Sequence, residues 1–63
     1  MIGTIASKIK DKGYGFINSN DKDYFFHISQ CITPFDELEK GDEVDFETES
    51  SNKGLRATRV EKL

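Results

Sequence analysis

One cysteine, one histidine and no tryptophan occur in 63 residues, and the first two scarcities each remove a class of protein. Cys31 by itself cannot close an internal disulfide. With no CxxC pair and no Cys/His cluster, a structural zinc site is not expected. His27 has no second histidine to share a metal, so neither a metal nor another cofactor is expected. No apolar run is long enough to span a membrane, and none near Met1 has the form of a secretory leader. A lone cysteine suits a reducing, intracellular compartment, so a soluble, cytoplasmic protein is expected, with no membrane partner. A nucleophile–base pair, paired carboxylates in a pocket and a phosphate-cradling loop are all missing. That argues against an enzyme and against a small-molecule substrate. Internal repeats, linkers and low-complexity stretches are absent too. At this length one domain over 1–63 is expected, with a small core and a stability of about 3–5 kcal/mol or less.

Charge of one sign is in excess, at a net −3, which at first argues against a nucleic-acid partner. The distribution reverses that argument. Residues 1–28 carry a net +1, and residues 29–63 a net −4. Between 36 and 49 lie Asp36, Glu37, Glu39, Asp42, Glu43, Asp45, Glu47 and Glu49 against the single base Lys40. These acids read first as a solvated face that keeps the protein soluble. They would also repel duplex phosphate.

What the chain has in abundance is a short aromatic segment. Lys12-Gly13-Tyr14-Gly15-Phe16-Ile17 and Tyr24-Phe25-Phe26-His27-Ile28-Ser29 hold five of the seven Phe and Tyr rings, together with the only histidine. Side chains alternate across a strand, so Tyr14 shares a face with Phe16, and Phe25 with His27. If the two strands pair, those four rings form one patch. The opposite faces supply Ile17, Tyr24 and Phe26 to a core shared with Ile5 and Val44. Exposed rings beside lysines make a stacking platform for unpaired bases.

The rest reads as five short strands bounded by turn signals: residues 2–10, 14–18, 24–28, 43–48 and 55–63. Asp11-Lys12-Gly13 and Lys40-Gly41-Asp42 are turns, and residues 18–23 and 50–54 are polar loops. Thr33-Pro34 suggests one helical turn, with threonine as cap and proline at the first position. Val44 and Phe46 point inward, as do Leu55, Ala57 and Val60. The parity change between Ala57 and Val60 requires a bulge near Thr58. Five flat strands would leave exposed edges. Closure removes them, so the expected fold is all-β: a five-stranded antiparallel Greek-key OB-fold barrel, whose second and third strands form the binding face.

Those segments resemble the cold-shock domain family. Lys12–Ile17 looks like that family's first ribonucleoprotein motif, K-G-[FY]-G-F-I, and Tyr24–Ser29 is similar to its second, V-F-V-H-[FI]-S. Gly3-Thr4-Ile5, Glu39–Glu47 and Lys53–Val60 fit its opening, its fourth strand and its closing strand. The RRM fold shares the first motif. It also requires an aromatic where this chain has Ser19, and two amphipathic helices where this chain has no sustained 3.6-residue period. One stretch departs from the family. Its opening G-x-V-K-W-F-N is Gly3-Thr4-Ile5-Ala6-Ser7-Lys8-Ile9 here, so the family's exposed tryptophan falls on Ser7 and its phenylalanine on Lys8. Ile28 stands where many members have phenylalanine. At about 1–3 kcal/mol per stacked base, each missing ring weakens binding by roughly one to two powers of ten. A one-residue slip that turns Ile9 into the core would change this mapping.

The resemblance implies a protein that binds single-stranded RNA or DNA, with pyrimidine-rich strands favoured. It would act as an RNA chaperone or a transcription antiterminator or regulator. Tyr14, Phe16 and Phe25 are the expected base-stacking rings, and His27 stacks or hydrogen-bonds to a base. By resemblance Phe35 adds a further ring, the alternative being that it plugs the barrel end. Lys12, Lys8 and Lys53 are expected to meet phosphates, and Asp23 to accept a hydrogen bond from a base edge. Arg56 and Arg59 read as solvated positions or partners of the acidic strand. A monomer is expected, with a weak or domain-swapped dimer possible. The competing reading is a diverged OB-fold whose aromatic face serves protein–protein association.

Overall fold

The alternation and the turn signals become five strands in the computed structural model, which describes residues 1–52 and 54–63. β1 spans Ile2–Ile9, β2 Tyr14–Ser19, β3 Lys22–His27, β4 Glu43–Ser51 and β5 Gly54–Lys62. They form a closed barrel in the order β1-β2-β3-β5-β4. Short 3-10 turns at Lys10–Lys12, Ile28–Gln30 and Phe35–Glu37 occupy the connections. The all-β five-stranded barrel expected from the sequence is the fold. One detail is added. The seam that closes it, β3 beside β5, is parallel and pairs Phe25 with Arg56, while the other pairings are antiparallel. Among the described residues no helix is long and apolar enough to cross a membrane.

The polar stretch 18–23 is tighter than a loop. Asn20 and Asp21 adopt φ of 53° and 65°. Two left-handed central residues suit the type I′ turn, whose twist matches a two-residue hairpin. The strands therefore run on until Ser19 pairs with Lys22. The turn expected at Thr33-Pro34 forms one residue later, over Phe35–Glu37, with Pro34 flanking it. Thr33 Oγ1 instead accepts the backbone N–H of Lys62 at 2.9 Å, which ties this connection to the end of β5.

Ile5, Ile17, Tyr24, Phe26, Val44 and Phe46 are buried, with Ala57 and Val60 beside them. Tyr24 packs on Phe46 at 5.4 Å between ring centroids. Leu38 and Phe35, from the connection between β3 and β4, complete the cluster. Leu55 does not join it. It is 40% exposed; the β3–β5 seam pairs Phe25 with Arg56, and Leu55 lies on the hairpin side of that pair.

Two bulges decide which side chains face out. In β1, Ile5 pairs with Ile17 and Ser7 with Phe16, so Ala6 is the extra residue. Past it, Ser7 and Ile9 take the outward parity and Lys8 the inward one. In β5 the extra residue falls between Thr58 and Glu61, where Arg59 has φ 51°. This is the parity change expected near Thr58, and it turns Val60 inward. Gly15 is required by packing within the barrel. A Cβ there would collide with the Ser7 carbonyl and stand 2.8 Å from the Phe26 ring. Gly15 faces inward, so the approach of a nucleotide is not its constraint.

The turn before β4 is held by a carboxylate. Asp42 Oδ2 accepts the Glu39 backbone N–H at 2.9 Å and faces Lys62 Nζ at 3.3 Å. The backbone hydrogen bond, with Lys62 adding to it, holds the Asp42 carboxyl below the usual carboxylate range. A lowered folded-state pKa means the ionised form is favoured by folding. This contribution is present at neutral pH and is lost as the pH falls through about 4 and below. Asp42→Asn should therefore lose less thermal stability than the wild type between neutral pH and about pH 3. Equal losses, followed by circular dichroism, would remove Asp42 from the acid response.

Candidate nucleic-acid interface

The β1–β2–β3 ladders arrange the outward side chains in rungs. Tyr14 lies opposite His27, Phe16 opposite Phe25 and Asn18 opposite Asp23. On the β1 side Ile9 lies beside Tyr14, Ser7 beside Phe16 and Thr4 beside Asn18. Inward positions on the same strands hold Gly15, Ile17, Tyr24 and Phe26, which fill the core. The strand alternation that builds the core thus leaves Tyr14, Phe16, Phe25 and His27 together on the outer surface, each half-buried.

Three of these rings touch. Phe25 lies 5.4 Å from Tyr14 and 5.9 Å from Phe16 between centroids, and Tyr14 and Phe16 meet edge to face at 6.4 Å. These are ordinary aromatic separations, and the rings brace one another at different tilts. His27 is oriented from behind. Its Nδ1 accepts the Ser29 backbone N–H at 3.1 Å and lies 2.9 Å from Ser29 Oγ. In the neutral ring this places the proton on Nε2, which leaves a donor for a base edge. Cys31 Sγ lies 3.6 Å from the His27 carbonyl, and burial holds its thiol pKa above the ordinary value.

The remaining expected site residues divide. Lys12 is exposed in the turn just before Gly13 and Tyr14. Asp23 is exposed, and its Oδ1 accepts from Asn18 Nδ2 at 3.2 Å, so a base edge would have to share that carboxylate. Lys53 lies outside the described residues. Two expectations are corrected. Phe35 is 5% exposed, with its ring 6.1 Å from Phe26. It plugs the barrel and offers no free face to a base. Lys8 follows it: the bulge at Ala6 turns this side chain inward. Its Nζ lies 4.9 Å from the Phe35 ring centroid and donates to the Leu38 carbonyl at 2.7 Å. That ammonium is committed to the fold, with its stem covering apolar surface, and is not a free phosphate contact.

The structure also brings in residues that the sequence did not mark. Arg56 pairs with Phe25 across the closing seam. Together with Leu55, Gly54 and Asn52 it forms the far wall of a cleft of about 720 Å³ whose near wall is Phe16, Phe25 and His27. Alternation from the buried Ala57 was enough to turn Arg56 outward. Only the β3–β5 pairing shows which neighbour it meets.

An outward ring patch on the second and third strands of a five-stranded closed barrel is now in place, and comparison with known proteins agrees with it. The family described as "'Cold-shock' DNA-binding domain" matches residues 1–63. This chain belongs to the cold-shock domain family. It is 43% identical over 65 residues to the major cold shock protein of Micrococcus luteus, covering 98% of this chain and 97% of that one. It is 45% identical over 60 residues to cold shock protein 1 of Lactiplantibacillus plantarum, covering 92% and 91%. The solved structure of Drosophila Unr CSD456 superposes with a TM-score of 0.79 at 31% identity, over 98% of this chain and 26% of that longer one. As a cold-shock domain the protein is a nucleic-acid-binding protein. The ladder also settles the register of its unusual opening. Ile9 stays outside the core, and Ser7 stands on the ring face beside Phe16, so this cold-shock domain has a hydroxyl where the family pattern has tryptophan.

Proposed function

We propose that this cold-shock domain binds unpaired RNA or DNA by stacking bases on Tyr14, Phe16 and Phe25. His27 adds a hydrogen bond or a fourth ring, and Lys12 a phosphate contact. The observation that carries the reading is the three-ring cluster, with centroids 5.4–6.4 Å apart on one outward face. Every base has a π-face, so such a platform tolerates many sequences; pyrimidine runs are favoured by backbone flexibility. Duplexes hide those faces and are excluded. By capturing unpaired bases the protein would melt weak RNA secondary structure without ATP, which is the activity of an RNA chaperone or antiterminator. We place it in the cytoplasm as a monomer without catalytic activity. Asp23 and Lys53 stay within the proposal as a base-edge acceptor and a second phosphate contact.

With no tryptophan present, tyrosine fluorescence follows binding. Titration with a short oligo-dT or a U-rich RNA is expected to give micromolar or tighter affinity. The salt slope should be shallow, about −0.7 per phosphate contact for a single strand. No binding below about millimolar would end this reading. A dimer that oligonucleotide fails to dissociate, seen by sedimentation, would favour protein association through the same face.

A further inference from the structure

One row of ladder partners crosses the outer face of the whole barrel: Ser7, Phe16, Phe25, Arg56 and Glu49. Rings occupy its middle, and the first residue beyond the closing seam is an arginine. Arg56 is half-buried and faces the ring cleft. Three other cations are already engaged. Arg59 Nε meets Glu47 Oε2 at 3.1 Å, Lys62 Nζ meets Asp42 at 3.3 Å, and Lys8 is bound to Leu38. Among the described residues the Arg56 guanidinium has no hydrogen-bond or ion-pair partner.

Neighbouring strands run about 4.7–4.9 Å apart, which is less than the width of a base pressed onto Phe25. Such a base overhangs Arg56 and brings its edge to the guanidinium fork. The next residue in the row is Glu49, exposed and directly opposite Arg56 in the β4–β5 ladder. A phosphate placed there would face a carboxylate, whereas the edge of a neutral base would not.

We infer that Arg56 selects guanine at the base position over Phe25. Guanine presents O6 and N7 as two adjacent acceptors, which a guanidinium reads with two parallel N–H bonds. Adenine sets an amino donor beside N7, and an unpaired thymine or uracil flanks its carbonyls with a ring N–H donor, a methyl or a C–H; cytosine pairs N3 with O2 as two acceptors but has no ring N–H to offer a carboxylate. Glu49 adds a second criterion, since its carboxylate accepts from the N1–H and N2–H groups of guanine and repels a carbonyl. This inference rests on the ring face being a single-strand platform. It adds one base-specific position to an otherwise tolerant track.

The test compares a short oligo-dT with the same strand carrying one guanine. Binding is measured by tyrosine fluorescence at several salt concentrations for the wild type, Arg56→Ala and Arg56→Lys. The wild type is expected to favour the guanine strand about tenfold. Both variants should lose that preference, and Arg56→Lys, which keeps the charge but not the fork, should keep the wild-type salt slope. Replacing the guanine by 7-deazaguanine, which lacks the N7 acceptor, should reduce the wild-type preference. The inference is overturned if the preference survives in Arg56→Ala. It is overturned equally if Arg56→Ala lowers only the salt slope, the mark of a phosphate contact. A wild type that binds both strands equally sinks this inference and leaves the platform standing; one that binds neither sinks both.

Discussion

Phe25→Ala is expected to weaken binding of a single strand by roughly fivefold to 150-fold, the loss of about 1–3 kcal/mol for one stacked base. Phe25 is the ring to remove first because it is central. It touches both Tyr14 and Phe16, it pairs with Phe16 on one side and Arg56 on the other, and it forms part of the cleft wall. Truncating it takes away a stacking surface and releases two neighbours from their tilts. The same contacts support the fold by about 0.5–1.5 kcal/mol each, which matters in so small a barrel. Phe25→Leu therefore accompanies the alanine variant, since leucine keeps apolar bulk and lacks the π-face. Both variants should retain the far-UV signal of the barrel in the cold and lose affinity by similar factors. An unchanged dissociation constant in a folded Phe25→Leu would show that bases stack elsewhere.

The adjacent residue is expected to behave in the opposite way. Phe26→Ala should unfold the protein. Phe26 has no exposed surface and packs on Phe35, and the contact surface at Gly15 is shaped around its ring. Removing a buried phenylalanine costs about 3–5 kcal/mol, comparable with the whole stability expected of a barrel this small. Urea denaturation of the wild type supplies the reference. The variant should show no cooperative transition at room temperature, or one shifted almost to zero denaturant. A loss of less than about 1 kcal/mol would contradict the packing of this core. Consecutive phenylalanines are thus expected to separate binding from folding, because a strand sends them to opposite faces.

Much of this was legible in the chain. Period-2 alternation in the two aromatic segments, with Ile17, Tyr24 and Phe26 opposed to Tyr14, Phe16 and Phe25, defined two faces before any coordinates. The shift between Ala57 and Val60 announced the β5 bulge. The misreadings of Lys8 and Phe35 fall where the local pattern is silent, for different reasons. The β1 bulge at Ala6 left no mark in the sequence, because Ser7, Lys8 and Ile9 are compatible with either parity. Once it is in place, Lys8 turns inward to the Leu38 carbonyl and Ile9 moves outside beside Tyr14. Phe35 is a lone ring in an irregular connection, where periodicity says nothing about direction. Its burial depends on Phe26, nine residues away on another element.

Local rules that act between neighbours in the chain were enough to determine the strands, the turns, the aromatic face and the all-β class, because each depends on alternation or on turn chemistry. The pairing across the closing seam was decided by the tertiary structure alone. β3 and β5 are separated in the chain by the whole of β4, and their register follows from barrel closure and bulge geometry, not from any local pattern. That long-range register sets an arginine beside the central ring and a glutamate beyond it. It makes the outer ring patch one wall of a cleft whose other wall carries that arginine.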